Sequence, residues 1–329
     1  MQTEEQKDVK KRFELTEEQK DLIKKFEEFA AQLGVSERKA GDICGVKSSI
    51  ISQLRSGTYE GVVSKQFNIL KAYFETKEKA ANTYSEVEYA PTTISEVVYK
   101  TLESIKIKGG FAIVTGDAGI GKTKALHKFV SDNALNSVMI TINPATKSTK
   151  AVLKKLASTM GLPSSQSCDD LWNSIAAKLH DGMVIVVDEA QLLTYWGIET
   201  LRSFSDYFDG CGQTLGVVLV GNDGIREKIM GRSSEQYGQV RNRGWQRPQL
   251  RAADVKYSDI EKLIPILQSK ERELTFLHKI AQTAEGVRGA VRLFGNAYDS
   301  GKYDLDGLVE MAKIMNLDLR GLEKAVRGK

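Results

Sequence analysis

Residues 116–123 read Gly-Asp-Ala-Gly-Ile-Gly-Lys-Thr and follow directly on the apolar run Phe111-Ala112-Ile113-Val114. The spacing fits G-x-x-x-x-G-K-[ST], a loop whose chemistry is the cradling of phosphate. Gly116, Gly119 and Gly121 let the backbone turn tightly enough for successive N–H groups to converge on phosphate oxygens. Asp117, Ala118 and Ile120 complete the turn between them. Lys122 brings a point charge to the outer phosphates, and Thr123 offers a hydroxyl to a magnesium ion. Lys124 opens a predicted helix reaching Phe129, whose N-terminal end adds a further attraction for anions. Residues 116–124 are therefore the candidate site for a nucleoside triphosphate with Mg²⁺.

A second run, MVIVVDEA (183–190), carries Asp188 and Glu189 at the C-terminal end of a predicted strand. That edge is where α/β sheets hold their ligands. Asp188 suits the magnesium position beside Thr123, and Glu189 suits the polarising of an attacking water. A solvated acidic strand end would read the same in isolation. The run LGVVLVGN (215–222) ends in Asn222, which alone reads as a turn residue of Gly-Asn-Asp-Gly. Further on, QVRNRGWQRPQLR (239–251) gathers Arg241, Arg243, Arg247 and Arg251, and EGVRGAVRLF (285–294) carries Arg288 and Arg292.

These residues need a scaffold, and 329 residues leave room for about two domains. Four near-continuous apolar runs, FAIVTG, VMITIN, MVIVVDEA and LGVVLVGN, alternate with helical patterns between residues 93 and 255. That order predicts a parallel sheet covered on both faces. Residues 256–329 repeat apolar positions at helical spacing, and residues 1–78 do likewise ahead of a linker at 79–92. The expected fold class is α/β, a parallel sheet followed by a helical region and preceded by an all-α domain.

Composition narrows the chemistry. The net charge is only +4, so any basic surface is local. Cys44, Cys168 and Cys211 are widely spaced, which fits neither a disulfide framework nor a zinc site and suits a reducing cytoplasm. His127, His180 and His278 are scattered and receive no role. The opening MQTEEQKDVKKRFELTEEQK is too charged for a secretory signal, and no apolar span predicts a membrane partner.

Two segments have the character of nucleic-acid contacts. In SERKAGDICGVKSSIISQLRSG (36–57), Ser36 starts one helix, Gly45 marks a turn and Ser48-Ser49 start another. Ala40, Ile43, Val46, Ile51 and Leu54 are spaced to lock the two together. The segment resembles the helix-turn-helix of the lambda-repressor and Cro type, which would set Lys47, Ser48, Ser49, Ser52, Gln53 and Arg55 against a DNA groove or its phosphates. A small helical bundle used for protein contacts is the alternative. Gln53 and Arg55 alone have the reach for bidentate base reading, so weak sequence discrimination is expected. The second segment, NPATKSTKAVLKKL (143–156), clusters Lys147, Lys150, Lys154 and Lys155, suited to phosphates rather than bases. A solvated helix face competes equally.

Taken in order, the repressor-like module, GDAGIGKT, VMITINP, MVIVVDEA, LVGN, the arginine-rich segment and the helical end resemble the transposition protein B family of phage Mu. These are AAA+ P-loop ATPases, related to the target selectors of Tn7-like elements and to the IstB proteins. The resemblance implies that residues 256–329 form a helical lid, that Asn222 occupies the sensor 1 position and that Arg288, with Arg292 second, occupies sensor 2. It implies an arginine finger acting on a neighbouring subunit's nucleotide, Arg243 being the best match while Arg241 and Arg247 stay open. It sets Lys147, Lys150 and Lys154 toward a central channel. It also implies ATP as the nucleotide and DNA-stimulated ATP hydrolysis in the cytoplasm of a bacterial host. The expected assembly is a homo-oligomer, filament or ring, on double-stranded DNA of little sequence preference, with a transposase as protein partner. An ATP-responsive transcriptional regulator and a helicase loader are the competing functions.

Overall fold

The computed structural model describes residues 13–81, 83–230 and 244–319. They form two compact units that divide between Thr83 and Tyr84. In the first unit, α1 (Glu17–Gln32) opens on a reciprocal cap: Thr16 and Gln19 each accept the other's backbone N–H through their side chains. Ser36 caps α2 (Glu37–Cys44), which stops at Gly45 with a left-handed φ of 78°. After that turn come α3 (Ser48–Ser56) and α4 (Val63–Ala81). Phe26, Ala40, Val46, Ile51, Leu54 and Leu70 make the core of this unit. Ile43, expected among the locking residues, is 45% exposed. The reason is local: Ala40 and Cys44, one turn apart, face inward and carry Ile43 to the side.

The second unit is an α/β sandwich. Its parallel strands are β1 (Gly110–Gly116), β2 (Ser137–Thr141), β3 (Met183–Asp188), β4 (Leu215–Gly221) and β5 (Gly244–Gln246), in the order β2-β3-β4-β1-β5. A two-residue β6 (Gln249–Leu250) also pairs with β1. These last two strands escape sequence reading because they are short and Pro248 separates them. On β1, Ala112 and Val114 enter one core while Phe111 and Ile113 enter another. Each face is covered, which is why the strands read as unbroken apolar runs.

Helices α5 (Thr93–Lys108) and α6 (Lys122–Asp132) cover the first face; α7 (Thr149–Thr159), α8 (Cys168–Lys178) and α9 (Tyr195–Gly210) cover the second. The short α10 (Asp223–Met230) follows β4. The lid consists of α11 (Tyr257–Leu263), α12 (Glu271–Ala281), α13 (Gly286–Asp299) and α14 (Leu305–Ile314). Its Leu274, Leu277, Leu293 and Phe294 share the core of the first face. Among the described residues, no helix is long and apolar enough to cross a membrane.

The linker expected at 79–92 is not a free connection. Helix α4 continues to Ala81, and residues 84–92 are built into the second unit. The Tyr84 ring packs edge-on against Phe294 at 4.9 Å, and its N–H donates to Asp299 at 2.6 Å. Ala90 is buried and Thr92 caps α5. The small polar residues around Pro91 obscured these anchors in the sequence.

Candidate functional site

Register levels the strand ends that carry the chemistry. Thr115, the residue before the glycine-rich loop, lies opposite Gly221, so the loop leaves β1 beside Asn222. Thr141 lies opposite Asp188 on the other side. The loop then turns through Gly119 (φ 72°) and Gly121 (φ 99°), conformations that a side chain strains. Gly116 has a different need: a Cβ there would come 2.5 Å from the Leu250 carbonyl.

Lys122, at the start of α6, is half-buried, and its ammonium donates to the carbonyls of Gly116 (2.8 Å) and Asp117 (2.6 Å). Burial pushes its pKa down, while Asp188, Glu189 and Asp117 nearby counter part of that. The Thr123 hydroxyl donates to Asp188 Oδ2 at 2.9 Å, joining the loop to β3 across the sheet edge. Asp188 is buried, and desolvation raises its carboxyl pKa against the opposing pull of Thr123 and the Glu189 N–H. Among the described residues, no three His, Cys, Asp or Glu side chains cluster as a metal cage. The Thr123–Asp188 pair fits Mg²⁺, which binds through one or two protein oxygens and completes its shell with phosphate and water.

Glu189 leaves β3 in the left-handed region (φ 57°), an uncommon conformation for a residue with a side chain. Its side chain is exposed, and the Gln191 side-chain amide donates to its carboxylate. Asn222 lies on the same pocket wall, and its Oδ1 accepts from the Gly224 N–H at 2.9 Å, closing a turn at the head of α10.

One cavity joins these groups. The loop residues 118–124 form its floor with Asp188, Glu189 and Asn222, and Arg288 and Arg292 face it from α13. Its far wall is apolar and was missed from the sequence: Val87, Tyr89 and Ala90 from the segment before α5, with Leu263, Val287 and Val291 from the lid. That apolar end beside a phosphate cradle has the composition of a nucleobase slot. Lys124, assigned to the nucleotide, also lines the cavity and bonds Glu86 (3.1 Å) and the Val87 carbonyl (3.3 Å), fastening that wall to α6.

The lid touches the cradle directly. The Arg288 N–H donates to the Gly119 carbonyl at 2.9 Å, and its guanidinium is exposed. Asp117, otherwise a spacer of the motif, accepts the Ala252 N–H at 2.8 Å and pairs with Arg251 at 3.1 Å. The same Arg251 guanidinium pairs with Asp223, next to Asn222, and so ties the cradle to the end of β4. In the sequence Arg251 is only one basic residue among several.

The finger candidates divide. Arg241 and Arg243 lie outside the described residues. Arg247 is exposed between β5 and β6, with Nη1 3.8 Å from the Met230 sulfur. In the first unit, Lys47, Ser49, Ser52 and Gln53 are exposed at or near the start of α3 and Ser48 is half-buried. The Arg55 guanidinium pairs with Glu27 (2.7 Å) and Glu37 (3.1 Å) and braces α3 against α1 and α2, while the side chain stays partly exposed. Lys147, Lys150, Lys154 and Lys155 are all exposed at the head and along the outer side of α7.

Residues 106–229 match the family of AAA domains. The chain is 27% identical over 251 residues to the DNA transposition protein B of the Mu-like prophage FluMu of Haemophilus influenzae, covering 74% of this chain and 85% of that protein. It is 23% identical over 248 residues to the ATP-dependent target DNA activator B of Escherichia phage Mu, covering 74% and 77%. Among solved structures, Cdc6p of Pyrobaculum aerophilum is 17% identical with a TM-score of 0.48, covering 69% of this chain and 68% of that one. The RuvB branch migration motor of Thermotoga maritima is 16% identical with a TM-score of 0.45, covering 68% and 69%.

Proposed function

From an AAA domain and a likeness to the transposition B proteins of Mu-like phages, we propose that this chain is an ATPase that assembles on target DNA and presents it to a transposase. The observation that carries the reading is the meeting of Lys122, Thr123, Asp188 and Glu189 in one cavity with an apolar slot behind it. The slot takes adenine, and the loop amides and Lys122 take the phosphates. Thr123 and Asp188 hold Mg²⁺, which when bound neutralises charge on the outer phosphates. The Glu189 carboxylate accepts a proton from the water that attacks the terminal phosphorus, and Asn222 orients that water. Arg288 steadies the terminal phosphate from the lid.

A finger from the adjoining subunit completes the site, with Arg243 first and Arg241 or Arg247 as substitutes. Guanidinium suits the task because its planar fork matches the developing phosphoryl charge. Fingers of this kind contribute about 10³–10⁵ in rate, so isolated subunits hydrolyse slowly and DNA stimulates turnover by aligning neighbours. The same shared contact makes assembly depend on triphosphate and loosen after hydrolysis. Lys147, Lys150 and Lys154 carry phosphate contacts; Lys47, Ser48, Ser49, Ser52 and Gln53 supply a second DNA surface. With Arg55 occupied by two glutamates, base reading there is poorer still and supports low sequence preference. Such a protein works in the cytoplasm of a bacterial host.

Electron microscopy of the full chain with arbitrary duplex tests this. ATP should give regular oligomers on the DNA, and ADP should not. A single-copy protein indifferent to duplex in both nucleotides would defeat the proposal. Preference for one operator over random duplex by more than about 10³ would favour a transcriptional regulator instead.

A further inference from the structure

Gln191 sits two residues beyond Glu189, in the single 3₁₀ turn Ala190–Leu192. Both ends of its carboxamide are engaged. Nε2 donates to the Glu189 carboxylate, and Oε1 accepts the backbone N–H of Asn222 at 3.3 Å. The two partners fix which end is which, because a carboxylate only accepts and a peptide N–H only donates. The close approach is built into β4: a Cβ at Gly221 would collide with Gln191 Oε1, so only glycine leaves room for the amide. The turn that presents Gln191 is itself held from α10, where the Lys228 ammonium donates to the carbonyls of Gln191 (2.8 Å) and Leu193 (2.7 Å). Glu189, Gln191 and Asn222 all line the same cavity.

We propose that Gln191 is a positioning residue for hydrolysis. Its amide fixes the Glu189 carboxylate relative to the end of β4, so that the proton acceptor and Asn222 move as one body. The inference rests on the reading of Glu189 as the group that activates water. A glutamate on an exposed turn has three free torsions, and a misplacement of about 1 Å at a reacting group can cost about 10²-fold in rate. One amide anchored at its other end to the sheet removes most of that freedom. Lys228 belongs to the same device: it sets the height of the turn, while Gln191 sets the direction of the carboxylate.

The test uses the full chain in steady-state and single-turnover ATP hydrolysis, with a fluorescent ATP analogue reporting affinity. Gln191→Ala should lower kcat by about 10–100-fold while KM and analogue affinity stay within about twofold. Gln191→Glu is of similar size but repels Glu189 and should lose as much. Melting temperature and the far-ultraviolet circular dichroism spectrum of each variant show whether it folds as the wild type does. The decisive arm is the double variant: on a Glu189→Gln background, Gln191→Ala should lower the residual single-turnover rate by less than about twofold. Wild-type kcat in a folded Gln191→Ala protein, or a full additional loss in the double variant, would overturn the proposal. Wild-type turnover by Glu189→Gln alone would instead remove the underlying reading of Glu189. Should Gln191→Ala misfold, Gln191→Asn carries the same expectation, since one methylene less prevents its amide from spanning both partners.

Discussion

Desolvation raises the Asp188 carboxyl above its ordinary value, because the residue is buried and the hydrogen bonds from Thr123 and the Glu189 N–H, with the Lys122 charge, only partly compensate. An acid whose folded-state pKa is raised stabilises the fold when protonated, and that contribution fades as pH climbs through the folded value. At neutral pH the charge is therefore a burden on the nucleotide-free protein, retained for the metal it would hold. Asp188→Asn keeps an acceptor for the Thr123 hydroxyl or the Glu189 N–H and removes the buried charge. The variant should melt higher than wild type at pH 7, by about 2–4 °C for each kcal/mol gained. The gap should close as pH falls and Asp188 becomes neutral by itself, while Mg²⁺-dependent hydrolysis is lost at every pH. Calorimetry across pH checks it, and a variant that melts lower at pH 7 would contradict the argument. Lys122 behaves differently, since its ammonium bonds two loop carbonyls that a phosphate would replace as partners. Charged hydrogen bonds contribute about 1.5–3 kcal/mol, so Lys122→Ala should weaken ATP binding by roughly 10–150-fold in calorimetric titration. Unchanged affinity would remove the cradle assignment.

At the scale of elements, the lid meets the cradle through the first turn of α13. Gly286 has a left-handed φ of 65°, and a Cβ there would stand 2.8 Å from the Ala118 carbonyl and 3.0 Å from the Gly119 carbonyl carbon. Gly286→Ala should push α13 off the loop, breaking the Arg288 N–H bond to Gly119 and opening the apolar slot at Val287 and Val291. Forcing a side chain into the left-handed region costs about 1–2 kcal/mol, so ATP affinity should fall about 5–30-fold. Structure determination with nucleotide would show the lid displaced, and wild-type affinity would mean that the contact is incidental.

This element also marks the limit of what the sequence discloses. The cradle and the Asp188-Glu189 edge were legible because their residues are contiguous and sit at the ends of unbroken apolar strands. The arginines of α13 were visible as a pattern. Gly286 was not, because its reason lies at Ala118, far away in the chain. Val87 and Tyr89 were hidden for a similar cause: a short segment rich in small and polar residues reads as a connection until its aromatic anchor, Tyr84 on Phe294, is seen. Arg55 shows a second role that the sequence hid, since the basic residue read as a DNA contact also pairs with two glutamates.

For the whole molecule, the division at Thr83 and Tyr84 separates the single hydrophobic core of the first unit from the two that flank the sheet of the second. The first unit depends on one cluster centred on Phe26, which is fully buried with Ile51, Leu54 and Leu70. A single core in so small a unit rarely supplies more than about 3–5 kcal/mol. Phe→Ala in a packed core costs about 3–5 kcal/mol, so Phe26→Ala should leave the first unit largely unfolded at working temperature. The cavity proposed for nucleotide draws every wall from residues 86–292 and should survive the change. Scanning calorimetry should then show two transitions in the wild type, with ATP and Mg²⁺ raising only the one belonging to the ATPase unit. At ligand concentrations of 100 times Kd that gain is about 2.7 kcal/mol. In Phe26→Ala the other transition should disappear and the nucleotide-dependent one should remain in place. One transition in the wild type, lifted as a whole by ATP and lowered as a whole by Phe26→Ala, would mean that the two units melt as one cooperative body.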